Sequence, residues 1–95
     1  MRRAARVDKN HEDIVQALRA AGATVQSLAT VGSGVPDLLV GFRKQTFLVE
    51  IKNGEASPSE KKLNPAQVIW HYNWNGGPLA VVESVNDALK LIGLK

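Results

Sequence analysis

The chain has 95 residues, 44% of them hydrophobic, with no cysteine and a net charge of +3. That length supports one small core, so a single domain over residues 1–95 is expected. The apolar share excludes an intrinsically disordered chain, and the missing cysteines exclude disulfides and thiolate metal sites.

No apolar run approaches the ~18 residues of a membrane span. The start Met1-Arg2-Arg3-Ala4-Ala5-Arg6 is basic but is not followed by an apolar stretch of signal-peptide length. A cysteine-free chain is compatible with a reducing cytosol. The positive charge favours an anionic partner such as nucleic acid, with clusters at Arg2, Arg3 and Arg6 and at Lys61-Lys62. On charge alone, a merely solvated surface explains those clusters equally well.

Taken in chain order, the first helix is predicted to start at Asn10, an N-cap residue with Asp13 three positions on. Ile14, Leu18 and Ala21 recur at i, i+4 and i+7, widened by Val15 and Ala17, and form an apolar stripe. Gly22 ends this helix. Residues 23–28 read as a strand, and residues 29–36, with Gly32-Ser33-Gly34, as a flexible loop.

Two apolar stretches follow, Leu38-Leu39-Val40 and Thr46-Phe47-Leu48-Val49, joined by Gly41-Phe42-Arg43-Lys44-Gln45, which reads as a hairpin connection. Residues 53–64 are polar and aperiodic, a long loop with room for a helical turn. Asn64-Pro65 is a helix start, N-cap then proline. That helix is expected to run to about Asn75 and stop at Gly76-Gly77-Pro78. A strand over residues 79–82 comes next. Ser84 then caps a last helix with Asp87 at N3, Val85, Ala88, Leu89 and Ile92 on its apolar face, and Gly93 closing it. The order α-β-β-β-α-β-α is an α/β domain. A helical crossover before the last strand predicts that this strand joins in parallel, giving a mixed β-sheet flanked by helices.

The chemistry concentrates in the hairpin. Asp37 precedes its first strand, and Glu50-Ile51-Lys52 closes its second. If Arg43 and Lys44 form a two-residue loop, Asp37 lies opposite Glu50 with Cβ atoms about 4.5–5.5 Å apart. Two carboxylates at that distance repel, and a cation between them is the natural remedy. Period-two alternation puts Lys52 on the face of Glu50. Two acids and an ammonium converging at one end of a hairpin is a metal-dependent hydrolase constellation. The plainer alternative is a strand-capping acid beside an exposed Glu-x-Lys pair. Pro36 fixing the backbone before Asp37, and charges ending an apolar strand, weigh against it.

Gly34-Val35-Pro36-Asp37-Leu38, then Val49-Glu50-Ile51-Lys52, then Leu63-Asn64-Pro65-Ala66-Gln67 with Trp70, then Gly76-Gly77 before an apolar strand resemble the virus-type replication-repair nuclease domain (VRR-NUC). That family belongs to the PD-(D/E)XK superfamily, and the match spans roughly residues 10 to 92. The acid-x-Lys element is common to the superfamily. The Gly-x-Pro-Asp opening with Pro-x-Gln-x-x-Trp on the next helix selects the family. The resemblance implies a restriction-endonuclease-like core and cleavage of DNA phosphodiesters with Mg²⁺ or Mn²⁺. It also implies, for a stand-alone member of this size, a cytoplasmic homodimer in a bacterial or phage-infected cell, acting on branched DNA of the Holliday-junction type. A flap or nick-making nuclease and a non-catalytic DNA-binding subunit are the alternatives. A sequence-reading restriction enzyme would need recognition elements for which 95 residues leave little room.

On this reading Asp37 and Glu50 are metal ligands, and the resemblance adds the Ile51 carbonyl. Lys52 orients the attacking water or stabilises charge on the phosphate. Glu12 is either a third carboxylate or a stabilising acid at a helix N-terminus, and Gln16 shares its face. By resemblance, Gln67 borders the site and positions phosphate or water. Trp70, His71 and Trp74 share the face of Gln67; Trp70 is expected in the core. His11 and His71 are read as surface residues without metal-ligand spacing. Ser33 and Gly34, with glycine's free dihedrals, and Lys61, Lys62, Arg2, Arg3 and Arg6 are the candidate DNA contacts.

Overall fold

A computed structural model describes residues 10–95. Arg2, Arg3 and Arg6 therefore lie outside the described residues. The elements in order are α1 (His11–Ala20), β1 (Thr24–Ser27), β2 (Leu38–Phe42), β3 (Gln45–Ile51), α2 (Pro58–Lys61), α3 (Pro65–Asn73), β4 (Leu79–Val82) and α4 (Val85–Leu91). The four strands form one sheet in the order β1-β2-β3-β4. The first two pairings are antiparallel and β3–β4 is parallel, as the helical crossover requires.

Alternation decides which side of the sheet is buried. Val40, Phe47, Val49, Ile51 and Val82 pack with Ile14, Val15 and Leu18 of α1 and Ala88 and Ile92 of the C-terminal segment. The helices α1 and α4 cover this face and pack on each other. Ile14, Leu18 and Leu38 are fully buried, each contributing about 1.5–3 kcal/mol of apolar transfer. Truncating Leu18 to alanine would cost about 2–5 kcal/mol. The odd-numbered β3 residues feed this core, so Leu48 and Glu50 point to the other face. Among the described residues, no helix is long and apolar enough to cross a membrane.

The hairpin turns on Arg43 and Lys44, with φ of 51° and 68°. Phe42 pairs Gln45, so the strands run further into the connection than residue type suggests.

Three local expectations need correction, and the helical turn for which residues 53–64 left room is present as α2. Asn10 precedes α1 but its side chain does not cap it; its Nδ2 instead donates to Glu83 O at 2.8 Å and Lys52 O at 3.2 Å, tying α1 to the ends of β3 and β4. A Ser57/Glu60 capping box stabilises α2. The helix α3 ends at Asn73, because Trp74 leaves the helical conformation, stacks on Trp70 with ring centroids 5.2 Å apart and donates from Nε1 to Gly77 O at 2.7 Å. Finally, no residue of α3 is buried. Trp70 is half-buried against Trp74 and stands outside the core.

Candidate active site

The register Leu38↔Val49 puts Asp37 opposite Glu50, one step past the last paired residues. Asp37 Oδ2 accepts from Ile51 N at 2.7 Å, a charge-assisted bond that fixes the carboxylate against β3. Its carbonyl accepts from Leu28 N at 2.7 Å, so the loop after β1 is held at the same point. Pro36 is buried and sets the approach.

Glu50 is 2% exposed, the one buried charged residue among those described. A carboxylate at that depth requires compensation. Lys52 Nζ lies 3.7 Å from Glu50 Oε2, and Gln67 Nε2 donates to the same oxygen at 2.9 Å. Gln67 Oε1 accepts from Lys52 Nζ at 3.1 Å and from Asn64 N at 2.9 Å. The glutamine is also the N3 residue of the capping box that starts α3, with Asn64 Oδ1 accepting from Gln67 N at 2.9 Å. One side chain therefore closes the first turn of α3 and clamps both charged residues of β3.

Gly34 fixes the same helix from the other side. Its φ is +85°, and a Cβ there would lie 2.3 Å from Ala66 O. The close approach that glycine permits here is to the chain's own α3. Ser33, at φ 59°, is exposed beside it.

His71, one turn beyond Gln67, is not the surface residue expected. It is half-buried, and its Nε2 is shielded from solvent with no hydrogen-bond partner among the described residues. Burial first, and the Lys52 charge second, lower its pKa from the ordinary value of 6.5. Its position at i+4 from Gln67 was the available signal. The Nδ1 of His11 is shielded in the same way.

Other candidates are not drawn in. Glu12 is exposed and accepts from Gln16 Nε2 at 2.6 Å, and among the described residues no three His, Cys, Asp or Glu side chains gather as a metal site. Glu12 and Gln16 thus pair on the surface of α1, and Glu12 does not complete a carboxylate triad. Lys61 is ion-paired with Glu83 at 3.2 Å, and Lys62 is exposed.

Asp37 and Glu50 carry one negative charge more than Lys52 balances. Two carboxylates with an all-oxygen donor set suit a hard divalent cation that keeps several waters. The donors present therefore fit such an ion without a third acid.

No family model matches the chain, and no curated protein does. Among solved structures, one described as a VRR_NUC domain is similar over 86% of this chain and 88% of its own length, at 31% identity and a TM-score of 0.64. With that identity and coverage, the chain belongs to the VRR_NUC family and carries a nuclease domain.

Proposed function

We propose that this nuclease domain is a divalent-metal-dependent, structure-selective DNA endonuclease, using Mg²⁺ or Mn²⁺ and acting on branched DNA of the Holliday-junction type. The observation that carries the reading is the buried Glu50 held beside Lys52 by Gln67, opposite Asp37. Asp37, Glu50 and the Ile51 carbonyl would hold the cation. When bound, it supplies Lewis-acid polarisation of the phosphate and lowers the pKa of water. The chain's own groups do the rest. Lys52 presents an ammonium to the charge that builds on the phosphate oxygens. Gln67 fixes the directions of Lys52 and Glu50, so little reorganisation is needed during the reaction. Asp37 is held rigid by Ile51 N–H.

The working species is a two-fold symmetric homodimer, because a four-way junction needs two cuts and each chain carries one site. The apolar residues exposed on α3, Val68, Ile69 and Tyr72, and Val81 on β4 support an interface there. Incubation with Mg²⁺ or Mn²⁺ and plain duplex, flap and four-way junction tests the reading. Paired symmetric nicks in the junction are expected. Preferential flap cutting would make it a flap nuclease instead, and binding without cutting would make it a non-catalytic subunit.

A further inference from the structure

The hairpin tip carries a feature that the active site does not use. Arg43 and Lys44 both adopt positive φ, 51° and 68°, in a two-residue turn where Asn-Gly is the favoured pair. Non-glycine residues in this region cost of order 1–3 kcal/mol each. Both are exposed. Arg43 lies over the Phe42 ring at 4.9 Å, and no carboxylate pairs with either among the described residues. The fold thus holds two unneutralised cations at a place where the backbone favours other residues.

Charge is also ordered along β3. Beyond its C-terminal end, a cleft of about 640 Å³ has Asp13, Glu55, Glu83 and Asp87 in its lining; Glu83 is ion-paired with Lys61, and the described residues of the lining include no Lys or Arg. The basic tip stands at the opposite end. Between tip and site, the outward residues Thr24, Gln26, Leu39 and Thr46 line a shallow depression of about 200 Å³. These four are exposed, and none is a carboxylate. From Lys44 to Glu50 is six residues, about 20 Å of strand, which matches about six base pairs of duplex.

We propose that the Arg43–Lys44 tip is a second phosphate-binding site. The duplex arm flanking the scissile bond leaves Asp37–Glu50–Lys52 across the open sheet face, away from the acidic cleft, and its backbone reaches the tip about six base pairs on. This rests on the DNA-nuclease reading above and assigns the minimum arm length of its substrate.

The test is the double variant Arg43→Asn/Lys44→Gly. It removes both charges while installing the pair that this turn prefers, so a folded hairpin is retained; the melting temperature verifies this. Binding is measured by anisotropy in Ca²⁺ across salt concentrations, on junctions with arms of about twelve or about three base pairs. On long arms, the variant should bind more weakly than the wild type, with a log–log salt slope smaller by about 1.8. On short arms, the two proteins should be alike. Equal affinity and slope on long arms, in a wild type that cuts DNA, would overturn the tip site alone. A wild type that neither binds nor cuts any DNA would overturn the nuclease reading with it.

Discussion

Gln67 Nε2 donates to Glu50 Oε2 at 2.9 Å. Because Gln67 Oε1 also accepts from Lys52 Nζ and Asn64 N, the N-terminus of α3 and the charged end of β3 form one hydrogen-bonded unit. Helix formation and site geometry are therefore coupled through a side chain.

This coupling separates two variants. Asn64→Ala removes the cap and should cost about 1 kcal/mol, while leaving the bonds from Gln67 to Glu50 and Lys52. Gln67→Ala removes the clamp as well and should reduce cleavage by at least an order of magnitude, about 1.4 kcal/mol in the barrier. Urea denaturation with single-turnover cleavage distinguishes them. Equal activity in the two variants would mean that Gln67 only caps.

Gly34 sets the distance between the loop before Asp37 and α3. Gly34→Ala meets both a positive φ and Ala66 O at 2.3 Å. It should cost at least ~2 kcal/mol and lower activity by shifting Gln67. Gly32→Ala has a positive φ but open space, and should cost about 1 kcal/mol with activity kept. Melting temperatures and cleavage rates of the pair check the difference.

His71 gives stability a pH dependence. Its folded pKa is lowered by burial and by Lys52, so the folded state resists a proton that the unfolded chain accepts. The associated stability is fully present above the unfolded value of about 6.5 and is lost as pH falls below it toward the folded pKa. Urea unfolding between about pH 5 and 8 should show a slope in wild type that is reduced in His71→Gln. Superimposable slopes would remove His71 from the explanation.

Lys52→Ala should abolish cleavage yet keep cation binding, since no oxygen donor is lost. It also leaves the buried Glu50 without its ammonium, at a cost of up to about 3–5 kcal/mol. Calorimetric titration with Mn²⁺ on the folded variant measures the binding. Its loss would assign Lys52 a role in assembling the cation site.

Much of this was legible in the sequence because it rests on short-range rules. The two-residue loop at Arg43–Lys44 determines the register, and the register alone places Asp37 against Glu50. Asn64-Pro65 and Ser84 announce their helices through capping chemistry. What was not legible depends on which long-range partner a side chain chooses. Asn10 reads as a cap but bonds across the fold to Glu83 and Lys52. Glu12 reads as a possible ligand but meets Gln16. The environment of His71 exists only once α3 is laid beside Lys52, and Trp70 reads as core although α3 buries no residue. Gln67 was singled out by family resemblance; its triple bonding came from the fold.

The most direct test is single-turnover cleavage of a four-way junction by wild type, Asp37→Asn and Glu50→Gln, each verified as folded, with Mg²⁺ or Mn²⁺ and with chelator. The expected result is cutting by wild type only when the divalent ion is present, and none by either variant. Full cutting by a folded Asp37→Asn or Glu50→Gln protein, or undiminished cutting by wild type in chelator, would contradict the account.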